Sequence, residues 1–215
     1  MLMEVFAEEA ERNRFRTILA DPPWPQRMVG KYKASKNQRP EKMPYQSMSL
    51  EEIMDLDVKS VAAPDCHLWL WTTNQFLEAG FQVMRAWGFK YLAPIHWLKP
   101  SGIGNYFVHR TQTVLFGYKE KCLFPLKRYA PNIMEIPANP KRHSQKPADT
   151  YRYIESISPE PRLELFGRSE RDGWTVLGNE LDGLDIRESL GMLAKGEKPR
   201  SAAIRLTQRL VMGGA

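Results

Sequence analysis

The sequence predicts an α/β domain, a doubly wound and mostly parallel sheet that binds its ligands at the strand carboxyl ends. Two observations predict it. Short apolar runs of strand length alternate with segments of helical spacing along most of the 215 residues. The first run, Thr17-Ile18-Leu19-Ala20, stops abruptly at Asp21-Pro22-Pro23-Trp24. Neither proline has an N–H, and each fixes its own φ and pushes the residue before it into an extended conformation. A strand ending in a rigid loop with one carboxylate and one aromatic ring suits a site at a sheet edge.

The remaining elements follow in order. Ser49 reads as an N-cap, with Glu51, Glu52 and Asp55 in the helix it opens. Cys66 to Thr72 is an apolar strand in which Trp69 and Trp71 alternate with Leu68 and Leu70, as sheet packing requires. Gln75 to Trp87 has helical spacing of Phe76, Leu77, Phe81, Met84 and Trp87. Tyr91 to Leu98 and Thr113 to Tyr118 read as strands, and Phe124 to Pro140 as a Pro-rich irregular stretch. Ala148 to Ile157 is helical, Arg162 to Gly167 a strand ending in glycine, and Trp174 to Leu177 the last strand. A single catalytic domain over residues 1–185 and a basic tail over residues 186–215 are expected. In that tail Leu190, Leu193, Ile204, Leu206, Leu210 and Val211 would form an amphipathic helix or two that pack.

Composition narrows the class. An apolar content of 42% and an aromatic content of 11% are those of a folded globular chain, not a disordered one. No apolar stretch reaches the length of a bilayer, and residues 1–15 carry no secretory h-region. Two cysteines, Cys66 and Cys122, have no partner spacing, so a reducing, cytoplasmic setting without disulfides is expected. His67, His96, His109 and His143 have no metal-ligand spacing, so no metal is expected. A Gly-x-Gly-x-x-Gly fingerprint, a Walker loop and a serine or cysteine nucleophile motif are all missing.

The chemistry-bearing residues fall into three groups. In the Asp21 loop, a carboxylate and a carbonyl suit the two hydrogens of an exocyclic amine while the Trp24 ring stacks on the base. The alternative is a plain turn, with Asp21 capping and Trp24 packing. Directly after it, Arg27, Lys31, Lys33, Lys36, Arg39 and Lys42 face the single acid Glu41, a basic loop over residues 25–43 that would lie along a phosphate backbone. A solvated surface loop is the other reading. A second basic group comprises Lys119, Lys121, Lys127, Arg128, Lys141 and Arg142. The third block runs from His143 to Glu180. Its Lys146-Pro147, Glu164-Leu165-Phe166-Gly167-Arg168 and Gly178-Asn179-Glu180 offer what a nucleoside-bearing cofactor needs: acceptors for ribose hydroxyls and a cation for a carboxylate. Taken singly, Glu164, Arg168 and Asn179 also read as an edge carboxylate, its surface partner and a turn former.

Taken in order, Asp21-Pro-Pro-Trp24, Pro44-Tyr-Gln-Ser-Met-Ser49, Leu68-Trp-Leu-Trp71, Trp97-Leu-Lys99, His143-Ser-Gln-Lys-Pro147, Glu164-Leu-Phe-Gly-Arg168, Gly173-Trp174 and Gly178-Asn179 resemble the family of the mRNA adenosine methyltransferase catalytic subunit. The chain is similar to small bacterial and phage members, from about Thr17 to Leu184. The resemblance implies a Rossmann-like S-adenosylmethionine-dependent methyltransferase fold, permuted so that the catalytic loop precedes the cofactor strand. It implies adenine-N6 methylation of nucleic acid, DNA first and RNA second, with a second copy or a protein partner as a further source of specificity. A catalytically silent nucleic-acid-binding scaffold is the reading from another class.

By the same resemblance, Asp21, Pro22, Pro23 and Trp24 form the catalytic loop. Asp21 takes the adenine amine, Pro22 adds its carbonyl and Trp24 walls the pocket. Lys146 meets the methionine carboxylate, while Glu164, Leu165 and Arg168, with Asn179 and Glu180, hold the ribose side, Asp21 also touching the cofactor. Tyr45, Lys99, Arg142 and His143 join the basic loop at the substrate. Three departures stand out. Glu170 and Arg171 occupy a His-Asn position, Glu180 replaces a glutamine, and the family's acidic segment that touches the cofactor adenine has no match ahead of the catalytic strand.

Overall fold

The structure is a computed structural model that describes residues 14–25, 47–103, 106–124, 129–136, 146–181, 183–197 and 199. Its centre is a seven-stranded sheet of β1 (Phe15–Ala20), β2 (Ala62–Thr72), β3 (Lys90–Ile103), β4 (His109–Tyr118), β5 (Ile133–Met134), β6 (Arg162–Leu165) and β7 (Trp174–Leu177), in the order β5-β3-β4-β2-β1-β6-β7. Strands β2, β1, β6 and β7 run parallel to one another, β4 is antiparallel to β2 and β3, and β5 is parallel to β3. The expected mostly parallel α/β sheet is therefore present, with one antiparallel excursion.

Period-two alternation sorts the apolar residues onto two faces. Ile18, Ala20, Leu68, Leu70, Leu163 and Leu165 meet Ile53 of α1 (Leu50–Met54), Val83 and Met84 of α2 (Leu77–Ala86), and Ile186 and Leu190 of α4 (Ile186–Ala194). Leu19, Trp69, Trp71, Val114 and Phe116 face the other way, onto Ile154 and Ile157 of α3 (Asp149–Ile157). Each fully buried Leu or Ile contributes roughly 1.5–3 kcal/mol of transfer free energy, so the two-sided coverage holds the sheet. Because Ile186 and Leu190 sit in the same core as β1 and β6, the chain beyond residue 185 begins as part of this domain.

The helix ends follow local chemistry. At α1 the Ser49 hydroxyl accepts from the Glu52 N–H at 3.1 Å and the Glu52 carboxylate accepts from the Ser49 N–H at 2.8 Å, a reciprocal cap. Helix α2 stops at Gly88, whose φ of 80° lets the Phe89 N–H reach back to the Met84 carbonyl at 3.0 Å. The expected helix start at Gln75 is a single 3-10 turn, Asn74–Phe76, that leads into α2.

Strands β3 and β4 outrun the apolar segments that announce them. Leu98 pairs with Thr111 and Ile103 with His109, extending the hairpin through residues that carry no buried alternation. The short strand β5 lies inside the Pro-rich stretch, where the His96 N–H donates to the Asn132 carbonyl at 2.8 Å. Among the described residues no helix is long and apolar enough to cross a membrane.

What positions the site is the connectivity. From β1 the chain crosses to β2 on one side, and later returns through α3 to β6 on the other. The strand order therefore reverses at β1 and β6, which opens a crevice at their carboxyl ends.

One buried group on the α3 face makes stability depend on pH. His67 is fully buried beside Ser158, its Nδ1 2.8 Å from the hydroxyl oxygen and its Nε2 without a hydrogen-bond partner. Burial pulls its pKa down to about 4. The unfolded chain takes that proton near 6.5. This group's contribution is therefore complete above pH ~6.5 and is lost as pH falls from there to about 4, by roughly 3 kcal/mol in all. His67→Gln should remove that part of the slope in urea midpoints taken from pH 7.5 to 4.5. Parallel wild-type and variant curves would show that His67 does not carry it.

Candidate active site

Asp21 stands one residue past the end of β1, where Ala20 pairs with Leu70 of β2 and Leu165 of β6. Alternation turns its side chain to the α3 face of the sheet. There the Lys146 ammonium, from the segment leading into α3, lies 2.5 Å from Asp21 Oδ2 and 5.0 Å from the centre of the Trp71 ring. The Lys146 side chain is 11% exposed and that of Asp21 36%. An ammonium bonded to one oxygen of a carboxylate in a crevice fixes that carboxylate's orientation. Where the sequence reading sends Lys146 to a cofactor carboxylate, the structure gives it Asp21.

The loop that follows is locked by its own backbone. The Trp24 N–H donates to the Pro22 carbonyl at 2.8 Å, and the Met48 N–H to the Pro23 carbonyl at 2.9 Å. The loop's carbonyls are thus partly spent on the turn, which leaves Pro22 a second lone pair. Trp24 is 4% exposed, stacks on Phe76 with ring centroids 5.7 Å apart, and donates Nε1–H to the Trp71 carbonyl at 3.1 Å. It is a wall of the site, with one ring face covered by Phe76, and not the open stacking platform the motif alone suggests.

On the β6 side, Glu164 pairs across to Leu19 and Val176 and so points to the same α3 face as Asp21. The Tyr151 hydroxyl of α3 donates to Glu164 Oε1 at 2.8 Å, and the Arg171 guanidinium lies 3.5 Å over the Tyr151 ring. Burial pushes the Glu164 carboxyl up to about 7, against the Tyr151 hydrogen bond and the Arg171 charge, with Asp21 adding a smaller upward push. Burial, with the Glu164 charge beside it, likewise drives the Tyr151 phenol well above its ordinary range.

After β6 the chain turns sharply. Phe166 has φ of 66°, and the Gly167 N–H donates to the Leu177 carbonyl at 2.9 Å. A Cβ on Gly178 would lie 1.9 Å from the Gly167 carbonyl oxygen, so the ends of β6 and β7 touch backbone to backbone. Arg168 Nε sits 3.7 Å from Glu180 Oε1 across that contact.

These pieces surround one cavity of about 620 Å³. It gathers Asp21, Pro22, Pro23, Trp24, Lys146, Glu164, Arg168, Asn179 and Glu180, residues drawn from positions up to 159 apart in the chain. Two expected residues lie elsewhere. Leu165 is fully buried in the core of the opposite face, because strand alternation sends it away from Glu164, and Phe166 lines the cavity in its place. Lys99 is on the extended part of β3, beyond β4 and β2 from the crevice, and does not line it. Arg27, Lys31, Lys33, Lys36, Arg39, Tyr45, Arg142 and His143 lie outside the described residues. Among the described residues no cluster of three or more His, Cys, Asp or Glu is placed to hold a metal.

Sequence reasoning passed over Tyr151 and Arg171. A helical wheel carries a signal for the first: Thr150, Ile154 and Ile157 face the sheet, and Tyr151 follows Thr150 in the turn nearest the strand ends. Arg171 was visible only as a departure from a motif.

The model of the MT-A70 family matches residues 15–180. The chain belongs to the MT-A70 family. The MT-A70 match begins at β1 and ends at Glu180, in the turn after β7 that lines the cavity. The chain is 30% identical over 191 residues to the N(6)-adenosine-methyltransferase MT-A70-like protein of Drosophila melanogaster, covering 84% of this chain and 29% of that protein. With the human N(6)-adenosine-methyltransferase catalytic subunit METTL3 it is 30% identical over 183 residues, 80% of this chain and 29% of that protein. The type II methyltransferase M.MunI of a Mycoplasma is 30% identical over 196 residues, covering 84% of this chain and 83% of that protein. The chain thus spans less than a third of the adenosine methyltransferases it matches, but most of the length of M.MunI. In this MT-A70 chain the Asp21-Pro-Pro-Trp24 loop follows β1, ahead of the Glu164 strand β6 in sequence and beside it in space.

Proposed function

We propose that this MT-A70 chain is an S-adenosylmethionine-dependent adenine-N6 methyltransferase acting on nucleic acid, with DNA as its preferred polymer. The observation that carries this reading is the Asp21-Pro-Pro-Trp24 loop, clamped by Lys146, opening on the same cavity as Glu164. The match to a type II methyltransferase over most of both chains favours DNA over the RNA suggested by the longer adenosine methyltransferases. The basic stretch from Arg27 to Lys42 supports a polyanionic partner.

The residues present fit the cofactor. The cavity of about 620 Å³ is within the range of roughly 300–1,000 Å³ usual for such sites. It is lined at Gly167 and Gly178 by a glycine cradle too tight for a Cβ on either. Thr150, whose buried Oγ1 has no hydrogen-bond partner, lines the same wall. Glu164 and Asn179 would hold ribose hydroxyls, Phe166 would pack on the adenine, and Arg168 or a Lys146 released from Asp21 would meet the carboxylate. When bound, S-adenosylmethionine supplies an activated methyl on a sulfonium, so the protein needs alignment more than a strong base.

The chain's own residues provide that alignment. Asp21 and the second lone pair of the Pro22 carbonyl accept the two hydrogens of an adenine amine. Accepting both draws electron density back onto nitrogen, whose lone pair is otherwise delocalised into the ring, and offers it as the nucleophile. Trp24 and Trp71, both buried, form the dry wall around the amine. A base stacked inside a duplex cannot reach Asp21, so the target is extruded or single-stranded, at a cost of a few kcal/mol.

Labelled methyl transfer to duplex DNA, single-stranded DNA and RNA, with nucleosides identified by mass spectrometry, tests the reading. N6-methyladenine in DNA above RNA is expected. N6-methyladenine in RNA alone would overturn the polymer assignment. No product from any polymer and no cofactor binding would favour a silent nucleic-acid-binding scaffold.

A further inference from the structure

Glu164 does not stand alone in its wall. From α3, Tyr151 donates its hydroxyl to Oε1 at 2.8 Å. From the β6–β7 loop, Arg171 lies flat over the Tyr151 ring at 3.5 Å. The same ring packs edge-on against Trp174 at 5.5 Å, and Trp174 Nε1–H is tied to Glu155 Oε1 at 2.8 Å. The phenol is thus fixed on both sides, by a guanidinium and an anchored indole. Tyr151, Glu164 and Arg171 all line the cavity. A carboxylate approached this way has one oxygen committed to the protein and keeps the other for a ligand.

We propose that Tyr151 and Arg171 are positioning residues that hold Oε1 of Glu164 against the wall, so that its other oxygen accepts a ribose hydroxyl of the bound nucleoside. This deepens the proposed function and rests on it, since a nucleoside cofactor is the ligand invoked.

The arrangement has a consequence that mere packing lacks. The ionised carboxylate accepts from Tyr151 and from a ribose hydroxyl in charge-assisted hydrogen bonds roughly twice as strong as those the protonated acid can accept. The groups facing it are Asp21 from the end of β1, itself bonded to Lys146 from the segment before α3, Tyr151 from α3 and Arg171 from the β6–β7 loop, while the cross-strand neighbour on β7 is the uncharged Val176. Arg168 and Glu180 lie further out and face each other. Burial and Asp21 hold the Glu164 proton on, up to about pH 7, while Tyr151 and Arg171 act to release it. Nucleoside binding below that pH should therefore release a proton, and affinity should rise with pH until the carboxylate is fully formed.

Two measurements on the full chain test this. In the ligand-free protein, carbon-13 NMR of the Glu164 carboxyl should titrate near 7 in wild type, and roughly half to one pH unit higher in Tyr151→Phe. Arg171→Met should move it the same way, and Arg171→Lys should restore most of the shift. In parallel, calorimetry with S-adenosylmethionine should show Tyr151→Phe binding more weakly even at pH 9, because the carboxylate is no longer held, and by a further factor of about three to ten at pH 6, because less of it is ionised. An affinity loss of equal size at every pH, or an unmoved carboxyl titration in folded variants, would overturn the positioning role. Failure of wild type to bind S-adenosylmethionine at any pH, with the NMR shifts as expected, would instead sink the cofactor reading and with it the ribose hydroxyl, leaving only the Glu164 contact.

Discussion

Asp21→Asn should abolish methyl transfer for practical purposes, with single-turnover rates at least about 10²–10³-fold below wild type, while the variant stays folded. The substitution keeps the side chain's shape. Its amide nitrogen, however, is a donor, and turned toward an adenine amine it presents N–H to N–H. Turned the other way, it presents N–H to the Lys146 ammonium that now lies 2.5 Å from Oδ2. Either orientation loses the negative charge, so the lone pair on the base nitrogen is no longer drawn out. Lys146, 11% exposed, would also lose its ion-pair partner. Affinity for S-adenosylmethionine should change by less than the rate, because Glu164, Asn179 and the glycine cradle are untouched. Comparing rate, affinity and urea midpoint in one variant separates these effects. Near-normal turnover in a folded Asp21→Asn protein would remove Asp21 from the mechanism.

The parts of this architecture legible in sequence are those where chemistry and burial coincide. Ile18 and Leu19, Leu68 to Trp71, and Leu163 and Leu165 are apolar because two helical layers cover them, and such runs read as strands from composition alone. The far end of the β3–β4 hairpin had no such signal: His109 and Arg110 are exposed, and their strand exists only through pairing with the neighbour. Likewise two residues of β5 inside a Pro-rich stretch are too few to show a period. At the site, Asp21 was legible because it ends an apolar run with a carboxylate, and Glu164 because it puts a carboxylate inside one, just before the strand ends. Their partners were not. Lys146 reaches Asp21 across 125 positions, and no local pattern encodes that approach. Tyr151 looks like an ordinary helix aromatic until α3 is laid over β6, and Arg171 acquires meaning only from the ring beneath it. Leu165 shows the limit of adjacency in a motif, because strand alternation sends every second side chain to the other face and its own lies in the core opposite Glu164.

Gly178→Ala should damage both stability and cofactor affinity, and the reason is space, not backbone conformation. A Cβ at 178 would lie 1.9 Å from the Gly167 carbonyl oxygen, 3.0 Å from its carbon and 3.2 Å from its nitrogen. All three are main-chain atoms that cannot swing aside, so the carboxyl ends of β6 and β7 must separate. The Gly167–Leu177 hydrogen bond of 2.9 Å would stretch with them. Overpacking of this kind costs about 1–3 kcal/mol. It would also move Glu164, Phe166 and Asn179 apart, so binding of S-adenosylmethionine should weaken by more than about tenfold, since ångström-scale misplacement of a site is costly. Gly167→Ala is the informative contrast. Its Cβ would meet the Val176 Cγ1 side-chain atom at 2.2 Å, and a valine methyl can be removed. The double variant Gly167→Ala, Val176→Ala should therefore recover much of the affinity lost in Gly167→Ala, whereas no single side-chain truncation should rescue Gly178→Ala. Urea midpoints and calorimetric affinities for the set decide the point. A Gly178→Ala protein as stable and as tightly binding as wild type would mean that the backbone contact between these two turns does not shape the cavity floor.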